Sequence, residues 1–332
     1  MGCLAVAGSM VYQKVTATTT TTTTTQPKEK AQLGWTVVSQ SKRGVMVDTK
    51  TITIGSAPFT VLRLRARTTR LSWHVGSTDP PSTTAPPIDA QSKVDWASEG
   101  LAGVVAVFNG AFKKVSKAGG ASVDGLNLEP LIKGDATVVL DRFGRWNIGV
   151  WGTTNFPPKG FKPIAYRQNL ALLVSNAQLS TEVLHWPIIK WGDYIIHSPA
   201  INRSALGIDE FGNLLYVATA GKVLPLAVAK ALLAAGAVTG MQLDMNPYWP
   251  MMGAPAKALH APGPMVLRLP GEARSAATYF YGWRRDFFVA VAEPNSFNCQ
   301  WASPGLRGSG VTPQPLSLTG RLCKAAHHKP KK

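Results

Sequence analysis

Asp244 is the residue on which a reaction could turn. It closes the apolar run Val238 to Leu243 and is followed by Asn246, Pro247, Tyr248 and Trp249. A lone carboxylate at the end of a buried strand, beside groups that hydrogen-bond and stack, suits the floor of a site. A capping or turn aspartate has the same signature. Asn109, before Gly110, offers both a donor and an acceptor, which suits a substrate hydroxyl or a phosphate oxygen. Asn-Gly is equally ordinary turn chemistry. Arg167 and Arg203 each carry a planar fork of donors that matches two phosphate oxygens. A surface arginine, or one paired with a scarce acid, is the plainer alternative for both. Asp244 and Asn109 are thus the candidate catalytic pair, with Arg203, Arg167, Gly110, Asn246, Tyr248 and Trp249 as candidate substrate-binding residues.

These residues need elements to position them. From Trp35 onward apolar residues alternate with Thr or Arg, as in Thr51-Ile52-Thr53-Ile54 and Phe59 to Arg65; period two predicts strands. Leu71 to Gly76 reads as another strand, with His74 as a packed or solvent-facing residue. Ser92 is placed to cap a short helix through Trp96 to Glu99. Val104 to Phe108 is a short buried strand ending at Asn109. Thr137 to Leu140 and Trp146 to Val150 flank a hairpin turn, and Arg167 leads a strand through Leu173 and Val174. A second hairpin turns at Glu210 to Asn213. Pro225 then opens an Ala/Leu/Val segment that Gly236 closes, the proline-first, glycine-last signature of one helix. Apolar on most of its circumference, it is expected to be buried on most of it. Met265 to Leu269 and Phe287 to Val291 add strands. The fold class expected is α+β, with mixed or antiparallel sheets around a central buried helix, Pro225 to Ala235.

The same ordered set resembles the phosphodiester glycosidase domain family, whose best-known members remove a covering N-acetylglucosamine from a sugar phosphodiester. The resemblance is carried by Phe108 to Phe112, Arg167 to Leu170, Arg203 to Gly207, Gly236-Ala237 and Leu243-Asp244, and spans roughly residues 58 to 290. It implies the family's fold, with Asp244, Asn109 and the two arginines near a glycosyl phosphodiester. One departure stands out. The family ends this strand in Asp-Gly-Gly-Gly-Ser, where this chain has Asp244-Met245-Asn246-Pro247-Tyr248.

The chain has 332 residues and a net charge of +17, from 35 Lys+Arg against 18 Asp+Glu. Such a surface favours anionic partners. Acids are too scarce for dense carboxylate metal cages, and the histidines show no ligand spacing, His197 near Asp193 included. No cofactor is identified, although a divalent cation is compatible with the chemistry. Nucleotide loops of the GxGxxG or Walker type are absent, as is a GxSxG elbow. Nucleic-acid binding would rest on charge alone, without an accompanying motif, and is not expected. Lys113, Lys114 and Lys117 read as a solvated basic face, and Arg284-Arg285-Asp286 as a group that could stack and pair or merely close a sheet edge.

Three regions are expected. Residues 1–30 are an apolar N-terminus and a Thr-rich spacer, residues 31–295 the glycosidase-like domain, and residues 296–332 a Pro/Gly-rich and basic tail. Residues 1–12 are too few to span a bilayer and lack a basic n-region, so a membrane link would need a longer upstream segment. The Thr tract, Thr16 to Thr25, and the family together suggest an extracytoplasmic protein, secreted or tethered to the envelope. There a Cys299–Cys323 bridge can persist, worth about 3 kcal/mol in the chain-entropy account. Two functions remain open at this point. One is hydrolysis of a glycosyl phosphodiester in a sugar phosphate or envelope glycan. The other is non-catalytic binding of anionic envelope polysaccharide, which the loss of the glycine turn favours.

Overall fold

Alternating strands joined by tight turns build the described residues into three antiparallel sheets. The computed structural model describes residues 34–80, 92–123, 126–192 and 200–293. The largest sheet has eight strands in the order Thr36–Ser41, Gly44–Ile54, Ala57–Leu64, Leu214–Val223, Ile201–Asp209, Ala237–Met245, Leu172–Ser175 and Gln178–Leu179. A five-stranded sheet is centred on Pro163–Gln168, and another on Val104–Asn109, which lies between Met252–Ala254 and Phe287–Ala292. All the strand pairings within these sheets are antiparallel.

The expected α+β fold with a central helix is therefore overturned. The described residues form a mostly antiparallel β structure with three short α-helices: Glu99–Ala102, Thr181–His185 and Pro225–Ala235. The last has the predicted ends. Pro225 sits in its first turn, and Gly236 closes it at φ 98°, donating to the carbonyls of Leu232 and Leu233. Its place differs from the expectation. Val228, Ala229, Leu232 and Ala235 pack on Phe59, Val61, Leu215 and Val217 of the large sheet, while Lys230 and Ala234 stay exposed. A separate cluster including Leu62, Leu64, Phe108, Tyr216, Leu243 and Phe288 fills the space between sheets. The helix reads as central because its turns are rich in alanine and leucine, yet it covers one sheet rather than being wrapped by several.

Two paired glycines set how closely that helix approaches. Gly207 and Gly240 face each other across neighbouring strands. A Cβ at Gly207 would lie 2.9 Å from Leu232 Cδ2, and one at Gly240 would lie 2.8 Å from Leu232 Cδ1. Only bare backbone leaves room for the leucine at this depth.

Other boundaries moved. The helix expected from Ser92 starts only at Glu99. The strand expected from Arg167 is two: Pro163–Gln168 and Leu172–Ser175 belong to different sheets. His74 is the packed residue of the two options, fully buried and 2.8 Å from Glu99 Oε1. The termini, Cys299, Cys323, Asp193 and His197 lie outside the described residues.

Candidate functional site

The strands Ala237–Met245 and Val104–Asn109 bring their carboxyl ends together. The amide of Asp244 donates to the carbonyl of Gly110 at 2.9 Å. Ser204, on the neighbouring strand, links the two ends a second time. Its Oγ donates to the carbonyl of Asp244 at 2.8 Å and accepts from Asn109 Nδ2 at 2.9 Å. Asn109 is fully engaged in this joint, since its Oδ1 accepts from Tyr216 Oη at 2.6 Å and from the amide of Met251 at 3.3 Å. Gly110 must be bare because a Cβ there would meet Asp286 Oδ2 at 2.2 Å. Asn109 and Gly110 thus hold Asp244 in place and do not line the cleft onto which Asp244 opens.

Asp244 does. It sits at the base of a cleft of about 860 Å³ together with Arg285, Met245, Asn246 and Trp249. Its Oδ2 accepts from Arg285 Nη2 at 2.8 Å, and its Oδ1 accepts from the Met245 amide at 2.9 Å. Burial raises its pKa to about 7, although Arg285 pulls the other way: desolvation of the charged form outweighs the attraction of one guanidinium here. Arg285 is 4% exposed. Nη2 also reaches the Ala111 carbonyl at 2.9 Å, Nη1 is 3.8 Å from Asp79 Oδ2, and neither Nε nor Nη1 makes a hydrogen bond. The guanidinium stacks over Trp249, 5.4 Å from the ring centroid. The guanidinium is thus engaged by Asp244, Asp79 and the Ala111 carbonyl, and its Nε and Nη1 are shielded from solvent.

The two arginines expected at the phosphate do not line the cleft. Arg203 is fully buried; it donates to the carbonyls of Trp191 and Val223 and to Gln242 Oε1. Arg167 took the plainer alternative and pairs an acid: its Nε donates to Asp286 Oδ2 at 2.8 Å, and its Nη2 to the Phe112 carbonyl at 2.6 Å. Both brace main chain and side chains around the cleft. Tyr248 is 54% exposed and also off the cleft. Asn246 lines it, in a left-handed conformation at φ 106°, with Oδ1 accepting from the Tyr248 amide at 2.7 Å. Glycine adopts such a positive φ without strain, and Asn246 holds it here.

Three lysines and a second carboxylate also line the cleft. Lys113 and Lys117, expected on a plain solvated face, line it, as does Lys190. Asp135 adds a second carboxylate, with burial raising its pKa to about 6. Arg285 was visible in sequence as a member of a group that stacks and pairs, and it does both. Among the described residues, no group of three His, Cys, Asp or Glu side chains is placed to hold a metal ion. No described helix is long and apolar enough to cross a membrane.

No protein-family model matches the chain, and no curated protein matches it. Among solved structures, it is similar to the catalytic domain of zebrafish N-acetylglucosamine-1-phosphodiester alpha-N-acetylglucosaminidase, a structure described as auto-inhibited by its pro-peptide. That similarity covers 78% of this chain and 88% of the other, at 12% identity and a TM-score of 0.48. An uncharacterised Synechocystis protein is similar over 74% of this chain and 62% of its own, at 12% identity and a TM-score of 0.44. A protein of Burkholderia pseudomallei described as exported is similar over 75% of each chain, at 11% identity and a TM-score of 0.39. These are distant likenesses of fold.

Proposed function

We propose that the cleft hydrolyses a glycosyl phosphodiester, breaking the bond between the anomeric carbon and the phosphate oxygen. The observation that carries this reading is the Asp244–Arg285 pair at 2.8 Å, at the base of a cleft that also has three lysines. The sequence resemblance to phosphodiester glycosidases supports the same reaction. Cleavage builds positive charge on the sugar ring, so an ionised carboxylate at Asp244 stabilises that charge or attacks the anomeric carbon. The leaving group is a phosphomonoester, already a weak base, so strong protonation is less needed than for an alcohol. Lys113, Lys117 and Lys190, which line the same cleft, meet the phosphate with their ammonium groups, while Arg285 holds the Asp244 carboxylate. Water supplies the hydroxyl to the sugar and its proton to solvent. Asn109 and Ser204 act as positioning residues behind Asp244. An extracytoplasmic site, on a sugar phosphate or envelope glycan, belongs to this proposal.

The departure at Met245-Asn246-Pro247 favours a second reading, a binder of anionic glycan. Proline has no amide, and its place in the turn removes a donor that could face an anion. Incubating the full chain with a panel of sugar-1-phosphodiesters separates the two. Free sugar and phosphomonoester in equal amounts support hydrolysis, whereas saturable binding without product supports the binder.

A further inference from the structure

The buried lining of the cleft sets Asp244 and Arg285 among Phe112, Ala118 and Met245, and its exposed lining sets aliphatic side chains among lysines. Two short 3-10 turns, Lys114–Ser116 and Ile188–Trp191, supply wall residues. Each presents a β-branched aliphatic beside lysine: Val115 near Lys113 and Lys117, and Ile189 next to Lys190. Val115 is 70% exposed, Ile189 is 58% exposed and Ile132, also in the lining, is 43% exposed. Single exposed aliphatics are ordinary on protein surfaces, but three at one cleft mouth call for a partner. Trp186 extends the apolar wall, with Lys190 Nζ 5.0 Å from its ring centroid.

A sugar aglycone fits this mouth poorly, because its hydroxyls would meet valine and isoleucine and lose hydrogen bonds to water. An alkyl chain would gain from the same contacts, at about 25 cal/mol for each Å² of apolar surface removed from water. The lysines then match the negative head, and their own methylene stems can lie along the chain. We infer that the cleft accepts an anionic amphiphile: a phosphodiester with its phosphate held by Lys113, Lys117 and Lys190 and an alkyl or isoprenoid chain leaving past Val115 and Ile189. That the phosphodiester also carries the sugar rests on the function proposed above; the alkyl preference does not.

Titration calorimetry on the full chain tests this with three probes below their micelle concentrations: dodecyl phosphate, ethyl phosphate and a neutral dodecyl glycoside. Dodecyl phosphate is expected to bind at least about tenfold more tightly than either of the others, since two or three buried methylenes already supply that factor. Val115→Ser and Ile189→Ser are expected to erase most of the gap without moving the melting temperature, because both side chains are exposed. Equal binding of the two phosphates would overturn the inference, as would a neutral glycoside that binds as well as the phosphate. Turnover keeps the two proposals apart. Hydrolysis of short-chain and long-chain glycosyl phosphodiesters with equal KM removes the alkyl preference and leaves the enzyme standing. Tight, Ile189-dependent binding of dodecyl phosphate with no turnover of any substrate does the reverse.

Discussion

Asp244 and Arg285 meet at 2.8 Å although 41 residues separate them, and each changes what the other can do. The guanidinium lowers the proton affinity of a carboxylate that burial raises. The carboxylate in turn holds the guanidinium through one nitrogen, leaving Nε and Nη1 without a hydrogen bond. The first predictions concern this pair.

Asp244→Asn preserves size and hydrogen bonding but removes the charge. Turnover of a glycosyl phosphodiester is expected to fall by at least about 100-fold, in line with the loss of a positioned charged group, with KM changed much less. Arg285→Lys keeps the charge and loses the fork that grips Asp244 and the Ala111 carbonyl, so it should mainly lower kcat. Steady-state kinetics on both variants check this; parental kcat in the Asp244→Asn protein would remove Asp244 from the mechanism.

The raised pKa of Asp244 fixes the sign of two pH effects. If the ionised carboxylate does the work, turnover rises as pH increases through about 7. Arg285→Ala removes a group that lowers this pKa and should move the inflection to higher pH. Stability runs the opposite way. A carboxyl whose pKa is raised on folding contributes stability that is complete below its unfolded value near 3.8 and is lost as pH rises through about 7. The melting temperatures of the parent and Asp244→Asn should therefore be similar at pH 4 and diverge by pH 8, the parent being lower. Asp135 titrates in both proteins and cancels from the comparison.

Ser204→Ala cuts the hydroxyl bridge between Asn109 and the Asp244 carbonyl. Two buried partners lose a hydrogen bond, so a stability loss of about 1–3 kcal/mol is expected. A purely structural role would leave kcat per folded molecule untouched. The positioning role predicts a lower kcat with little change in KM, largely restored by Ser204→Thr, which retains the hydroxyl.

Gly240→Ala drives a methyl against Leu232, at an expected cost of about 1–3 kcal/mol from overpacking. Leu232→Ala alone should cost about 2–5 kcal/mol. Their sum should exceed the cost of the double variant, because removing the leucine end frees the space that the alanine methyl needs. Denaturant unfolding of the three variants completes the cycle; strict additivity would mean that the contact does not limit how the helix seats.

Much of the framework was legible because its signals are local. Pro225 and Gly236 mark helix ends with their own backbone chemistry, and Val104 to Asn109 is a strand within its own six residues. Asp244 stood out for the same reason, as the acid that ends an apolar run. The functions of the arginines were not local. The strand Ile201–Asp209 is buried at every position, so alternation could not show which way Arg203 points. Arg167 finds its acid 119 residues away. Arg285 was legible as a residue that stacks and pairs or closes a sheet edge, but its partner Asp244 lies 41 residues away. The helix was misplaced for a related reason: its composition reports how much of it is buried, not which layers do the burying.

Arg203 has one more consequence. Its Nη1 donates to the carbonyl of Trp191 at 2.8 Å, and Gln242 Nε2 reaches the same oxygen at 3.3 Å. The wall turn that carries Ile189 and Lys190 is thus pegged to the sheet through main chain, which every residue shares. Its outward side chains are free to vary without moving the peg. In evolutionary terms the turn is an interchangeable part: lineages can retune what passes the mouth of the cleft while inheriting the base unchanged. Directed libraries confined to positions 188–190 should accordingly yield folded proteins at high frequency.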